Sequence, residues 1–234
     1  MPGVTGSTGH RGAVELLRLD KPDGVSDEPP GEARDEPPGE ASRDESGGPR
    51  EARDESGREP GDDPAGADAR LAFIARVRAD VLRLRLAPGQ GRFVDPPVVT
   101  LPKADAVPGQ VPFAVLVDGA TAGFGILDKA VPSGTGIVPG DGSSLTAAPE
   151  RAVMLRSFLI EVRWQGEGVA RRACRLLPSL AREAAPEAEE VLATVKTANP
   201  AGYRAYTAGG FEDTGRRYLG ADAGPQHVLS MPLV

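Results

Sequence analysis

Three features of the 234-residue sequence predict an α/β fold with a mixed sheet. Strand-like and helix-like segments alternate along most of the chain, the order that packs helices against a sheet. One apolar run, 153–162, passes through a glycine-containing turn straight into a helical pattern, and Asp118-Gly119 joins two other apolar runs as a hairpin. The composition also breaks sharply. Residues 24–68 hold 15 acids, 5 bases and one large aliphatic residue, Val25, so the net charge of −7 belongs to an acidic insert on a mildly basic body.

Each element has its own signal. Val14, Leu16, Leu17 and Leu19 form a strand-like run. The insert follows, repeating DEPPGEA and RDES, and offers too little apolar surface to offset roughly 1–2 kcal/mol of ordering entropy per residue. It is predicted to be a disordered acidic Pro/Gly-rich insertion. Leu71, Ile74, Val77, Val81 and Leu82 then recur at helical spacing, with Pro88 as the stop. The runs 112–117 and 121–127 are the hairpin strands, and 132–149, rich in Gly and Ser, is expected to be a mobile loop. The strand at 153–162 is apolar without clean alternation, which suggests burial on both faces. A helix from about Gly168 follows, with Val169, Ala173, Leu176, Leu177 and Leu180 on one side. A strand at 191–195, a short helix at 200–207 and a closing hairpin from 211–215 and 228–233 complete the order. Residues 1–12 read as a flexible N-terminus and 13–234 as one domain interrupted by 24–68.

Several function classes are disfavoured. There is no apolar run of 18 residues, and 1–12 lacks the apolar stretch of a secretory signal, so no membrane partner and a cytoplasmic setting are expected. Cys174 is the single cysteine, and His10 and His227 are isolated, so no metal is expected.

The chemistry concentrates where the 153–162 strand meets the next helix. Gly166, Gly168 and Ala170 let an anion approach the backbone, and the first amides of a helix face it with the positive end of the dipole. A P-loop would need Gly-Lys-Ser/Thr at 168–170, which are Gly-Val-Ala; a dinucleotide fingerprint would need a small residue at 171, which is Arg.

Gln165, Gly168 and Ala170 instead fill the Arg/Gln-x-x-Gly-x-Gly/Ala pattern, and the segment resembles the acyl-CoA motif of the GNAT superfamily of N-acetyltransferases. A second segment, Asn199-x-x-Gly202-x-x-Ala205-Tyr206-x-x-x-Gly210-Phe211, is similar to that superfamily's Asn-x-x-Ala-x-x-Leu-Tyr-x-x-x-Gly-Phe, with Gly202 for Ala and Ala205 for Leu. Residues 84–94 and Gly224-Pro225-Gln226-His227 look like members grouped with the diamine (spermidine-type) acetyltransferases. The resemblance implies a mostly antiparallel central sheet flanked by helices. It implies an enzyme that moves an acetyl group from acetyl-CoA, as co-substrate, to a primary amine of a small molecule by direct attack in a ternary complex. A polyamine-like acceptor, no nucleic acid and a homodimer are compatible with it.

By the same resemblance Gln165, Gly166, Gly168, Val169, Ala170 and Asn199 contact the cofactor. The amides of Phe158 and Ile160 bind pantetheine and polarise the thioester, and Tyr206 protonates the departing thiolate. Each role has a structural rival. Tyr206 can simply pack its helix on the sheet, with Tyr203 one turn earlier as a spare acid, and Asn199 can serve as a helix cap before Pro200. Glu161 and Glu150 are candidate bases by position alone, and Glu167 is an unexpected acid beside a pyrophosphate site. Pro178 should weaken the helix that follows the turn. The alternative function is a non-catalytic acyl-CoA-binding module, or a scaffold that uses its acidic arm.

Overall fold

The computed structural model of the protein describes residues 12–20, 64–131, 137–138, 145–219 and 224–233. In chain order its elements are β1 (Val14–Arg18), α1 (Pro64–Val81), α2 (Pro97–Asp105), β2 (Gln110–Val117), β3 (Ala120–Asp128), β4 (Ile137–Val138), β5 (Ala152–Ile160), α3 (Val169–Ala184), β6 (Glu190–Lys196), α4 (Pro200–Ala208), β7 (Glu212–Tyr218) and β8 (Gln226–Pro232). The insertion expected at 24–68 lies outside the described residues as far as 63. Its last five residues correct that boundary: α1 already begins at Pro64, because proline suits the first helical position, where its missing N–H would have no partner anyway. Most of the expected 132–149 loop also lies outside the described residues, apart from the two-residue strand β4 and the stretch from Leu145.

The eight described strands form one sheet in the order β1-β2-β3-β5-β6-β8-β7-β4, with every neighbouring pair antiparallel except β5 and β6. The mixed, mostly antiparallel sheet flanked by helices is therefore present. The β2–β3 hairpin turns on Asp118 and Gly119, whose φ values of 48° and 76° are both left-handed, as a tight two-residue hairpin demands. The Asp118 carboxylate also accepts the Ala13 amide at 2.8 Å, which anchors the start of β1.

The two faces of the sheet carry separate cores. Alternation along β2 sends Phe113, Val115 and Val117 to the face that packs on α3, and Ala114 and Leu116 to the face that packs on α1 and α2. In α3, Val169, Ala173, Cys174, Leu177, Leu180, Ala181 and Ala184 are buried along one stripe, each large aliphatic worth about 1.5–3 kcal/mol. Pro178 sits inside this helix without ending it; only the bond to the Cys174 carbonyl is forfeited, and the buried stripe holds both flanks. The helix α2 is a finding the sequence did not signal, because Pro96, Pro97 and Pro102 read as breakers. Pro97 takes the first helical position, and Leu101 and Ala104 are buried beneath.

The feature that positions the site is a split in the sheet. β5 and β6 pair only from Ala152↔Glu190 to Leu155↔Ala193, then part. Immediately beyond, β5 bulges: the register with β3 slips between Phe124↔Leu159 and Ile126↔Arg156, and Ser157 takes a left-handed φ of 50°. From Arg156 to Ile160, β5 therefore faces a gap rather than a strand.

Candidate functional site

That gap is the mouth of a cleft of about 1150 Å³, walled by β5, the end of β6, the turn into α3 and one side of α4. Every residue expected to contact the cofactor lines it, from Phe158 and Ile160 on the open edge, through the 165–170 turn, to Asn199, and so does the expected acid, Tyr206.

The turn is built as its composition requires. Gly166 and Gly168 have φ of 83° and 69°, a region where only glycine is unstrained, and a Cβ added at either would have no contact closer than 3.8 Å. Space above the turn is open. Gly168 stands at the N-cap of α3 and supplies no side-chain cap, so the first-turn amides are not capped from that position. Gln165 departs from the expected picture in one respect, because its side chain is taken up within the protein. Its Nε2 donates to the Ile160 carbonyl at 2.8 Å and to Gln90 Oε1 at 3.0 Å, while Gln90 Nε2 donates back at 3.2 Å. This reciprocal amide pair ties the α1–α2 connection to the turn. Glu167 is half-buried and is the one carboxylate among the described residues that line the cleft.

Asn199 caps α4: its Oδ1 accepts the Gly202 amide at 2.9 Å. The cap explains Gly202, since a Cβ there would lie 2.6 Å from the Asn199 side-chain nitrogen. Tyr206, half-buried, sits with its ring centroid 6.0 Å from Phe158 of β5 and 5.5 Å, edge-on, from Phe211. Its hydroxyl has no hydrogen-bond partner among the described residues, and burial pushes the phenol up from its ordinary value, so it remains protonated at neutral pH. Tyr203 lies elsewhere. Its hydroxyl donates to Asp213 at 3.2 Å, its ring packs 4.6 Å from His227, and His227 Nδ1 meets the same carboxylate at 2.8 Å. Burial opposes the Asp213 charge, but the Gly215 amide, His227, Tyr203 and Arg217 outweigh it and hold the carboxyl below its usual value. This cluster fixes α4 on β7 and β8 and does not line the cleft. Cys174 is buried, and burial pushes its thiol up to about 12, which leaves it unreactive at neutral pH.

Neither candidate base reaches the cleft. Glu161 is buried, paired with Arg163 and Arg85, and opens into a separate depression beside the β2–β3 hairpin; Glu150 is exposed on the Pro149–Arg151 turn. The far wall of the cleft was not foreseen. Phe93, Thr100 and Lys103 from α2 and the segment before it, Arg156 of β5 and Lys196 of β6 contribute to it.

No protein-family model matches the sequence, and no curated protein does. Solved structures do match. An aminoglycoside acetyltransferase in complex with coenzyme A and kanamycin is similar at 20% identity over 71% of this chain and 90% of that chain, with a TM-score of 0.47. A GNAT-family acetyltransferase from Streptococcus pneumoniae is similar at 15% identity, covering 58% and 74%, with a TM-score of 0.38. A spermidine N-acetyltransferase variant from Vibrio cholerae is similar at 15% identity, covering 57% and 70%, with a TM-score of 0.40. Among the described residues no helix is long and apolar enough to cross a membrane.

Proposed function

We propose that the protein is an N-acetyltransferase that moves an acetyl group from acetyl-CoA to a primary amine. One observation carries this reading: the strand split brings an open strand edge, a glycine turn at a helix N-terminus and a protonated phenol into a single cleft. These parts come from segments about forty residues apart in sequence.

Each part has a task in acyl transfer. The amides at the start of α3, around Val169 and Ala170, accept pyrophosphate oxygens, and Gly166 and Gly168 leave the room to do so. Arg171 and Arg204, which also line the cleft, add positive charge for the phosphates. Along the open edge of β5 the Phe158 and Ile160 amides hold the pantetheine arm and polarise the thioester carbonyl. The amine attacks that carbonyl, the C–S bond breaks, and the Tyr206 hydroxyl delivers its proton to the leaving thiolate. With no carboxylate but Glu167 lining the described cleft, the amine loses its proton to solvent in the open mouth.

Two measurements test the reading together: calorimetric titration with acetyl-CoA, and thiol release with a panel of amines. Micromolar binding with amine-dependent thiol release is expected. Absence of acetyl-CoA binding refutes the site. Binding without turnover on any amine leaves the non-catalytic module, the alternative that Glu167 in the cradle favours.

A further inference from the structure

The cleft passes through the sheet and has two sides of different character. The glycine turn and α4 belong to the face that carries α3. Along β5, Ala152 and Met154 point to the opposite face, and Arg156 continues their alternation; in β6, Lys196 is in phase with Leu192 on that same face. α2 covers this face and contributes Lys103. Three cations thus line the cleft on this face of the sheet.

Negative charge to balance them is scarce. Asp128 is buried, and its Oδ2 lies 3.4 Å from Arg156 Nε. The same carboxylate accepts Gln110 Nε2 at 3.0 Å and the Ala130 amide at 3.0 Å. It therefore pairs with Arg156 alone among the three cations. Beyond Asp128, Arg156 has no ion-pair partner among the described residues, and the Lys103 ammonium has no hydrogen-bond or ion-pair partner among them, while the Lys196 ammonium donates to the Arg92 carbonyl. A second ammonium on the acceptor would meet like charges here, and the nearby Asp128 carboxylate is already engaged by Arg156, Gln110 and the Ala130 amide. An anionic group would meet a guanidinium already held in place by Asp128, and an exposed ammonium lining the same cleft.

Resting on the acetyl-transfer reading, we propose that the acceptor is a primary amine that also carries an anionic group, bound by Arg156 and Lys103 on the α2 side of the cleft. The shared chemistry is an oxyanion, and a carboxylate or a phosphate can supply it.

The test compares matched amines with the full-length protein and acetyl-CoA, following thiol release. 6-Aminohexanoate is set against 1,6-diaminohexane, and 2-aminoethyl phosphate against ethanolamine. At least a tenfold advantage in kcat/KM is expected for the anionic member of one pair, and which pair shows it separates carboxylate from phosphate. Lys103→Gln, at an exposed position, and Arg156→Gln should each raise KM for the anionic amine severalfold, with acetyl-CoA affinity unchanged by calorimetry. Preference for the diamine and ethanolamine, or equal rates, overturns the inference while leaving acetyl transfer standing. A fall in acetyl-CoA affinity in either variant also overturns it, by assigning these cations to the cofactor phosphates. Failure of the wild-type protein to bind acetyl-CoA refutes the transfer reading itself.

Discussion

Replacing Gly168 by valine should separate the cradle's function from its conformation. Gly168 has φ 69° at the start of α3, and Gly119 has φ 76° in the β2–β3 hairpin, so both positions are left-handed. A Cβ at 119 meets nothing within 4 Å, and one at 168 meets only Arg171 Nη2, at 3.8 Å. Neither substitution crowds the protein, so both are charged mainly the left-handed penalty, about 1–2 kcal/mol and more for a β-branched residue. For a body of this size that is roughly 2–8 °C in Tm. The two sites differ in what lies above them, since Gly168 lines the cleft and Gly119 does not. A valine side chain at 168 stands where the phosphates would approach the amides, and acetyl-CoA binding should weaken at least tenfold, about 1.4 kcal/mol. The assay is calorimetric titration of Gly168→Val, Gly119→Val and the parent protein, each checked for folding by its thermal transition. Matched losses of Tm with an affinity loss confined to Gly168→Val are expected. A folded Gly168→Val that binds acetyl-CoA as the parent does, or a Gly119→Val that loses affinity equally, would refute the cradle.

Tyr206→Phe keeps the packing on Phe158 and Phe211 and removes only the proton, so acetyl-CoA affinity should hold while turnover falls roughly 10²–10⁴-fold. Tyr203→Phe should lower Tm slightly with its bond to Asp213 and change turnover little; the reverse pattern would place the acid one helical turn earlier. Cys174 should react with iodoacetamide at pH 8 only as fast as the protein opens, and labelling at the rate of a free thiol would contradict its burial. The Asp213 carboxyl is held below its unfolded-state value, so its contribution is present above about pH 4 and fades as pH falls through the lower folded value. Asp213→Asn should therefore lower Tm at pH 7 and converge with the parent in strong acid; a difference that grows in acid would reverse the sign of the argument.

What the sequence determined by itself is what neighbouring residues decide among themselves. The Asp118-Gly119 hairpin, the apolar stripe of α3 and the strand–glycine–helix passage at 160–170 each depend on local periodicity or on the backbone freedom of glycine, and each was legible. That the 165–170 turn, Asn199 and Tyr206 share one cleft was an expectation of the resemblance of two spaced motifs, not of any local pattern. α2 was hidden, since Pro96, just before it, and Pro97 and Pro102 within it speak locally against a helix whose stability comes from burying Leu101 and Ala104. Glu161 looked close to the chemistry because it follows β5 directly; one residue past the end of the strand, it is carried to a different depression and held by Arg163 and Arg85. The cleft itself arises from a pairing that stops after Leu155 and Ala193. Lys103, Arg156 and Lys196 carry no common motif, since helix packing and strand register alone bring them to one wall. Tertiary structure decided that wall because electrostatic surroundings depend on distance through space, which no local pattern encodes.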